Sequence, residues 1–222
     1  MLDILYEDEA LLFVNKPPDI VVQRGYDADE PILIDQAVAH AGPLFLMQRL
    51  DRGTSGVMFF SKLSSINANL TRQFERKAIR KRYLALSEGH LGERQVIDAP
   101  LARIGPISFG VRPSGKRAVT VVGPLAATAC GSFLRIDLLT GRTHQIRAHL
   151  AAIGHPLIGD WLYGTRNDGR PMLHAVALTM THPLTNQRLA VTAPIATDFL
   201  ASAVAREIVS GSEDMMTLAE NS

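Results

Sequence analysis

Apolar residues in this chain gather into short runs, at 11–14, 57–60, 83–86, 118–122 and 133–139, each ended by glycine, proline or charge. Runs of that length suit β-strands and are far too short to cross a bilayer as helices. Only two segments carry helical spacing. Ile66, Leu70 and Phe74 recur every fourth residue behind Ser64 and Ser65 as caps, and Ile146, Leu150 and Ile153 mark a second helix before Gly154-His155-Pro156. Many strands and few helices predict an α+β chain with a mixed, largely antiparallel central sheet flanked by helices and loops.

The opening Ile4-Leu5-Tyr6-Glu7, a polar Asp8-Glu9, and 11–16 stopped by Pro17-Pro18 predict a hairpin. Strands at 173–180 and 188–191 complete the sheet, while 89–115, with its glycines and prolines, predicts mostly loop of the kind that often serves function. No repeat or linker divides the chain, so 1–205 is expected to form one domain and polar 206–222 a flexible C-terminal tail. The lone Cys130, in an apolar segment, is expected to be a buried thiol without a catalytic role. With no basic leader ahead of an apolar stretch, the expected compartment is the cytoplasm, away from any membrane.

A formal net charge of +1 identifies no polyanion binder, but the distribution does more. Arg72, Arg76, Lys77, Arg80, Lys81 and Arg82 stand against the single acid Glu75. This patch is either a solvated helix end, where cations complement the dipole, or a surface for phosphates. His144, His149 and His155 lack a His-Glu-x-x-His pattern, so neither a metal nor a cofactor is expected. Gly53 and Gly56 match no phosphate-loop fingerprint and are expected to turn the chain around Asp51.

Polar chemistry concentrates in Gln48-Arg49-Leu50-Asp51-Arg52-Gly53-Thr54-Ser55-Gly56, in Lys81-Arg82-Tyr83, and in Gly141-Arg142-Thr143-His144-Gln145-Ile146-Arg147. This ordered set resembles the RluA family of pseudouridine synthases, whose hallmark is Arg-Leu-Asp followed by Thr-Ser-Gly. The resemblance runs from about residue 5 to 194. It takes in Leu5-Tyr6-Glu7-Asp8-Glu9, Val14-Asn15-Lys16-Pro17, Gly154-His155-Pro156-Leu157-Ile158-Gly159-Asp160, Leu173-His174-Ala175 and Thr181-His182-Pro183. It implies the pseudouridine synthase fold, a catalytic domain without the S4-type domain of many relatives, and isomerisation of uridine in RNA. It also implies that Asp51 is the catalytic carboxylate, that Tyr83 packs on the target base and that Arg147 keeps Asp51 ionised. Gln48 replaces the family's usual His before Arg-Leu-Asp, which removes a group able to become cationic and bears on RNA positioning or the pH profile.

The reaction gains and loses no atoms, so no redox agent or group donor is required. The carboxylate could stabilise positive charge on the sugar, attack it, or remove a sugar proton, and the residues leave these alternatives open. Arg49, Arg52, Arg76, Lys77, Arg80, Lys81, Arg142, His144 and Leu173 are the candidate substrate contacts. The expected partner is a ribosomal or transfer RNA stem-loop, where flipping the uridine is least costly, with no obligatory protein partner. Two other readings are an RNA-binding module without turnover and a glycoside hydrolase, the latter disfavoured because most such enzymes need two cooperating carboxylates.

Overall fold

The computed structural model describes residues 2–24, 32–165 and 169–220. The chain begins with β1 (Ile4–Glu7), β2 (Leu11–Lys16) and α1 (Leu33–Ala41). Next come β3 (Phe45–Leu46), β4 (Ser55–Ser61) and α2 (Asn67–Glu75), entered through a 3-10 turn at Ser64–Ile66. Four strands follow: β5 (Arg80–Ser87), β6 (Gln95–Asp98), β7 (Leu101–Arg103) and β8 (Phe109–Val111). Then come β9 (Val119–Thr128), β10 (Gly131–Leu138) and α3 (Gln145–Ala152). The chain closes with β11 (Leu173–Thr181), β12 (Arg188–Thr192), α4 (Thr197–Ala205) and α5 (Ser212–Glu220). The α+β class and both expected helices are present, as are the expected strands, with ends shifted by a few residues.

Two compact units divide these elements, Met1–Lys81 with Ala175–Pro194, and Arg82–His174 with Ile195–Ser222. In the first, strands run β1-β2-β4-β11, with β3 on β4 and β12 on β11. Strand β2 pairs antiparallel with β4 from Leu11↔Ser61 to Lys16↔Gly56, and every residue of β4 is buried. Such strands read as continuous apolar runs because both faces are covered. Phe13 stacks on Phe59 at 5.2 Å between ring centroids, Phe59 on Phe74 of α2 at 6.2 Å, and Tyr6 meets Phe13 edge-on at 5.8 Å. Each such pair adds about 0.5–1.5 kcal/mol beyond the area it buries.

The Tyr6-Glu7-Asp8 and Thr181-His182-Pro183 segments meet in one knot. Asp8 accepts hydrogen bonds from the backbone N–H of Ala10 and Leu11, both at 2.8 Å, from the Tyr6 hydroxyl at 2.6 Å and from His182 Nε2 at 2.8 Å. His182 Nδ1 accepts from the N–H groups of Leu184 and Thr185, which assigns the ring proton to Nε2. Burial alone would raise the Asp8 pKa, but these donors outweigh it and hold the carboxyl below its ordinary value, while the Tyr6 phenol is pushed up to about 12 by its bond to Asp8. Residues that contributed to the family resemblance therefore tie the terminal strands together.

In the second unit the strand order is β5-β10-β9-β6. Strands β9 and β10 form a long hairpin, with a bulge between Phe133 and Leu134 and a turn at Ala129-Cys130. Phe199 of α4 meets Phe133 edge-on at 6.3 Å, and Met215 of α5 is fully buried.

Residues 89–115 are mostly loop, as expected, but three short strands lie among them: β6, which pairs with β9, and β7 and β8, which form a separate two-stranded sheet. Strands of three or four residues, one with Gly110 inside it and Gly105-Pro106 just before it, carry too few apolar residues in sequence to show a period. Cys130 is exposed rather than buried, because its apolar segment ends at the hairpin turn. Residues 212–220, within the stretch expected to be a flexible tail, are helical.

Gly56 has φ of +108°, and a Cβ placed there would stand 2.2 Å from the carbonyl oxygen of Ala175. Glycine is what lets β11 approach β4 so closely. We expect Gly56→Ala to destabilise the protein by about 2–5 kcal/mol, read as a fall in urea midpoint, through strain and overpacking together.

Candidate active site

Asp51 lies half-buried in the turn between Leu50 and β4, where the Thr54 N–H donates to the Asp51 carbonyl at 3.0 Å. The turn is held from beneath by Lys16. Its ammonium, wholly buried at the end of β2, donates to the carbonyls of Pro17 at 2.8 Å, Arg52 at 2.9 Å and Thr54 at 2.9 Å. The Arg52 carbonyl also accepts from the Asp19 N–H at 2.9 Å. A buried ammonium must be matched by acceptors, and here these include the carbonyls flanking the Asp51 turn. Arg49 and Arg52 are exposed on the same turn.

Arg147 stands in α3, 4% exposed, and pairs with fully buried Asp160 through two parallel bonds, Nε to Oδ2 at 2.7 Å and Nη2 to Oδ1 at 2.8 Å. Asp160 Oδ1 also accepts from the N–H groups of Leu162 and Tyr163 at 3.0 and 3.1 Å. The guanidinium carbon lies 5.1 Å from the Tyr163 ring centroid and 5.8 Å from that of Trp161. The Tyr163 hydroxyl oxygen accepts from the Phe109 N–H at 2.8 Å and lies 3.1 Å from His144 Nδ1. His144 itself has φ of +53° at the start of α3. His144 and Arg147 thus both meet Tyr163.

Two polar networks hold this frame. Gln145 Nε2 donates to the Val119 carbonyl and to Thr120 Oγ1, both at 3.0 Å, while its Oε1 accepts from the Thr140 hydroxyl and the Arg142 N–H. Thr120 Oγ1 lies 2.8 Å from His149 Nδ1, and His149 Nε2 lies 2.9 Å from the Ala99 carbonyl, so the network assigns the proton to Nε2. Burial lowers the His149 pKa against the opposing pull of Ala99 and Asp98. Near β11, Arg170 pairs with Asp198 at 2.6 and 2.9 Å and donates to the Pro171 and Leu173 carbonyls. It thereby sets the start of the strand at Leu173, which is buried. Asp198 is held below the ordinary carboxylate range chiefly by the Arg170 bonds.

The remaining candidates separate by environment. Tyr83 is buried in β5, and Arg142 is exposed, with Nε on the Arg117 carbonyl at 3.1 Å. Arg76, Lys77 and Arg80 are exposed beyond α2, whereas Lys81 lies 5.2 Å over the Phe74 ring, half-buried, and burial lowers its pKa. Helix α2 ends in a Schellman motif: the Lys77 N–H donates to the Phe74 carbonyl at 3.0 Å and the Ala78 N–H to the Gln73 carbonyl at 2.8 Å. Lys77 holds the left-handed position, φ +57°, where glycine is usual. Among the described residues, no group of three or more His, Cys, Asp or Glu is placed to hold a metal ion.

Residues 10–152 match the family model for RNA pseudouridylate synthase. Ribosomal large subunit pseudouridine synthase D of Haemophilus influenzae is 33% identical over 90% of this chain and 69% of its own length. The uncharacterised RNA pseudouridine synthase YhcT of Bacillus subtilis is 36% identical over 89% of this chain and 70% of its own. The chain belongs to the RNA pseudouridylate synthase family. The fold agrees: human RNA pseudouridylate synthase domain containing 1 superposes with a TM-score of 0.77 at 28% identity, covering 93% of this chain and 87% of that one. Members of this family are isomerases that convert uridine in RNA to pseudouridine.

For a synthase of this family the sequence reading missed Lys16, Gln145, His149, Asp160 and Arg170 as supporting residues. Lys16 and Asp160 stood inside the recognised motifs, and an apolar strand ending in lysine was the available signal for the first. Lys16→Met should lower stability by roughly 2–4 kcal/mol, because the abandoned carbonyls lose a charged donor, and should slow turnover more than it weakens RNA binding. Urea unfolding and single-turnover kinetics read the two effects; an unchanged urea midpoint would show the clamp to be idle. His149 supplies a pH prediction. Its folded pKa lies below its unfolded value, so the unfolded chain takes up the proton first. Stability should therefore be intact above about pH 6.5 and decline as pH falls below it. In His149→Gln that part of the acid-side slope should vanish from urea midpoints measured against pH.

Proposed function

We propose that this synthase isomerises a uridine in structured RNA, ribosomal RNA first and transfer RNA second, with Asp51 as its catalytic carboxylate and without metal or cofactor. The observation that carries the reading is the Lys16 clamp beneath the Asp51 turn, within the Arg-Leu-Asp and Thr-Ser-Gly motif. A buried cation spent on backbone carbonyls fixes where a carboxylate stands, which a reaction at a single sugar carbon requires. The names of relatives such as synthase D point to large-subunit ribosomal RNA.

In the reaction the C1′–N1 bond of the uridine breaks, the uracil turns while bound, and C1′ joins C5, whose proton is then lost. Asp51 acts at C1′, Tyr83 packs against the flipped base, and its hydroxyl accepts or relays the C5 proton. Arg147, held by the Asp160 carboxylate through Nε and Nη2, is the guanidinium that keeps Asp51 ionised. Exposed Arg49, Arg52, Arg76, Lys77, Arg80 and Arg142 meet phosphates, and His144, Lys81 and Leu173 complete the substrate surface. The protein works in the cytoplasm with RNA as its partner; no helix of the described residues is long and apolar enough to cross a membrane.

Asp51→Asn tests the assignment. The amide is nearly isosteric, so folding and RNA affinity should persist while pseudouridine formation falls by orders of magnitude, the loss expected for an essential carboxylate. Activity within about tenfold of wild type would move the catalytic role elsewhere.

A further inference from the structure

Trp161 is the only tryptophan of the chain, and it is 52% exposed. An exposed aromatic by itself needs no explanation. This one is held in an unusual way. It follows Asp160 directly, in the segment whose Leu162 and Tyr163 N–H groups bind the Asp160 carboxylate. The guanidinium of Arg147, itself pinned by that carboxylate, lies 5.8 Å from the indole centroid. Gly159, two residues before Trp161, adopts φ of +72° and packs so tightly that a Cβ would stand 2.2 Å from the Arg170 carbonyl oxygen. Buried backbone on one side and a buried ion pair beneath thus fix a large ring that keeps about half its surface in solvent.

We propose that Trp161 is a stacking platform for a base of the RNA substrate, a nucleotide beside the target uridine rather than the uridine itself. The inference rests on the proposed function, because it takes Arg147 to serve the reacting uridine. Three properties select a nucleic-acid base as the occupant. A ring already held in place loses little conformational freedom when a base lies on it. Every base offers a π-face, so a platform of this kind tolerates sequence while fixing position. Arg147 is neutralised by Asp160, and exposed Arg142, at the loop leading into α3, offers positive charge that suits a phosphodiester. Trp161 is accordingly a positioning residue: it registers the strand and takes no part in bond making.

A lone tryptophan makes the test direct. Unmodified large-subunit ribosomal RNA, transcribed in vitro, is titrated into the wild-type protein, with binding followed by filter retention and Trp161 by its fluorescence. Binding should quench or shift the emission. Trp161→Ala should weaken RNA affinity by about 5- to 150-fold, whereas Trp161→Phe should stay within about threefold of wild type, since it keeps a ring. Single-turnover pseudouridine formation at saturating RNA should be slowed far less than affinity. RNA that is bound and modified while the emission stays unchanged overturns the platform and leaves the proposed function standing. Quenching without pseudouridine formation by wild type does the reverse, retaining the RNA contact and removing the enzyme reading from this RNA. The wild-type fluorescence decides the matter even if Trp161→Ala fails to fold.

Discussion

A guanidinium taken out of water has to find its counter-charge at once, and the Arg147–Asp160 pair does so with all the geometry that such a pair demands. Two parallel bonds join the ions, and two backbone N–H groups occupy further lone pairs of the carboxylate. With that compensation the pair is tolerable; with either partner removed, the orphaned charge would cost about 3–5 kcal/mol. The arrangement dictates much around it. The loop at 157–163 must curl to present its N–H groups, Gly159 must adopt its left-handed conformation, and Tyr163 and Trp161 are left against the cation. Packing then carries the constraint onward, from Tyr163 to His144 at the start of α3 and to the Phe109 backbone in β8.

The first unit solves a different electrostatic problem with different means. Lys16 donates to three peptide carbonyls, which are partial charges and therefore weaker partners individually. Three of them converge because β2 ends where the chain around Asp51 passes. Further off, the Asp8 knot with Tyr6 and His182 binds the first and last strands of the unit by the same logic, a single acceptor group saturated by several donors. In both units polar groups in the interior act as fasteners, while buried apolar side chains, among them Phe13 and Phe59 in the first and Phe133 and Phe199 in the second, supply the bulk of the cohesion.

Elements with a strong period or a continuous apolar run were legible in the sequence. Leu11-Leu12-Phe13-Val14 and Val57-Met58-Phe59-Phe60 read as strands, and the four-residue spacing of Ile66, Leu70 and Phe74 read as a helix. Helices α1 and α4 were not anticipated from the sequence. Cys130 misled because an apolar run does not announce where its hairpin turns. Of the candidate residues, Asp51, Tyr83 and Arg147 were named through an ordered motif series, but Asp160 stood within that series with no role of its own. A supporting residue declares itself through what it touches, and Asp160 reaches Arg147 across thirteen positions.

Lys77 illustrates what such a surface implies for anyone trying to make the molecule sturdier. A side chain in the left-handed region costs roughly 1–2 kcal/mol relative to glycine, so a survey of helix ends would choose this position early for replacement by glycine. The Schellman bonds around it would survive, and heat resistance would rise. Yet the residue exchanged is one of the exposed cations beyond α2. At that one position, heat tolerance and surface charge are set against each other, and a thermostabilised version optimised by melting point alone would drift toward a less basic surface.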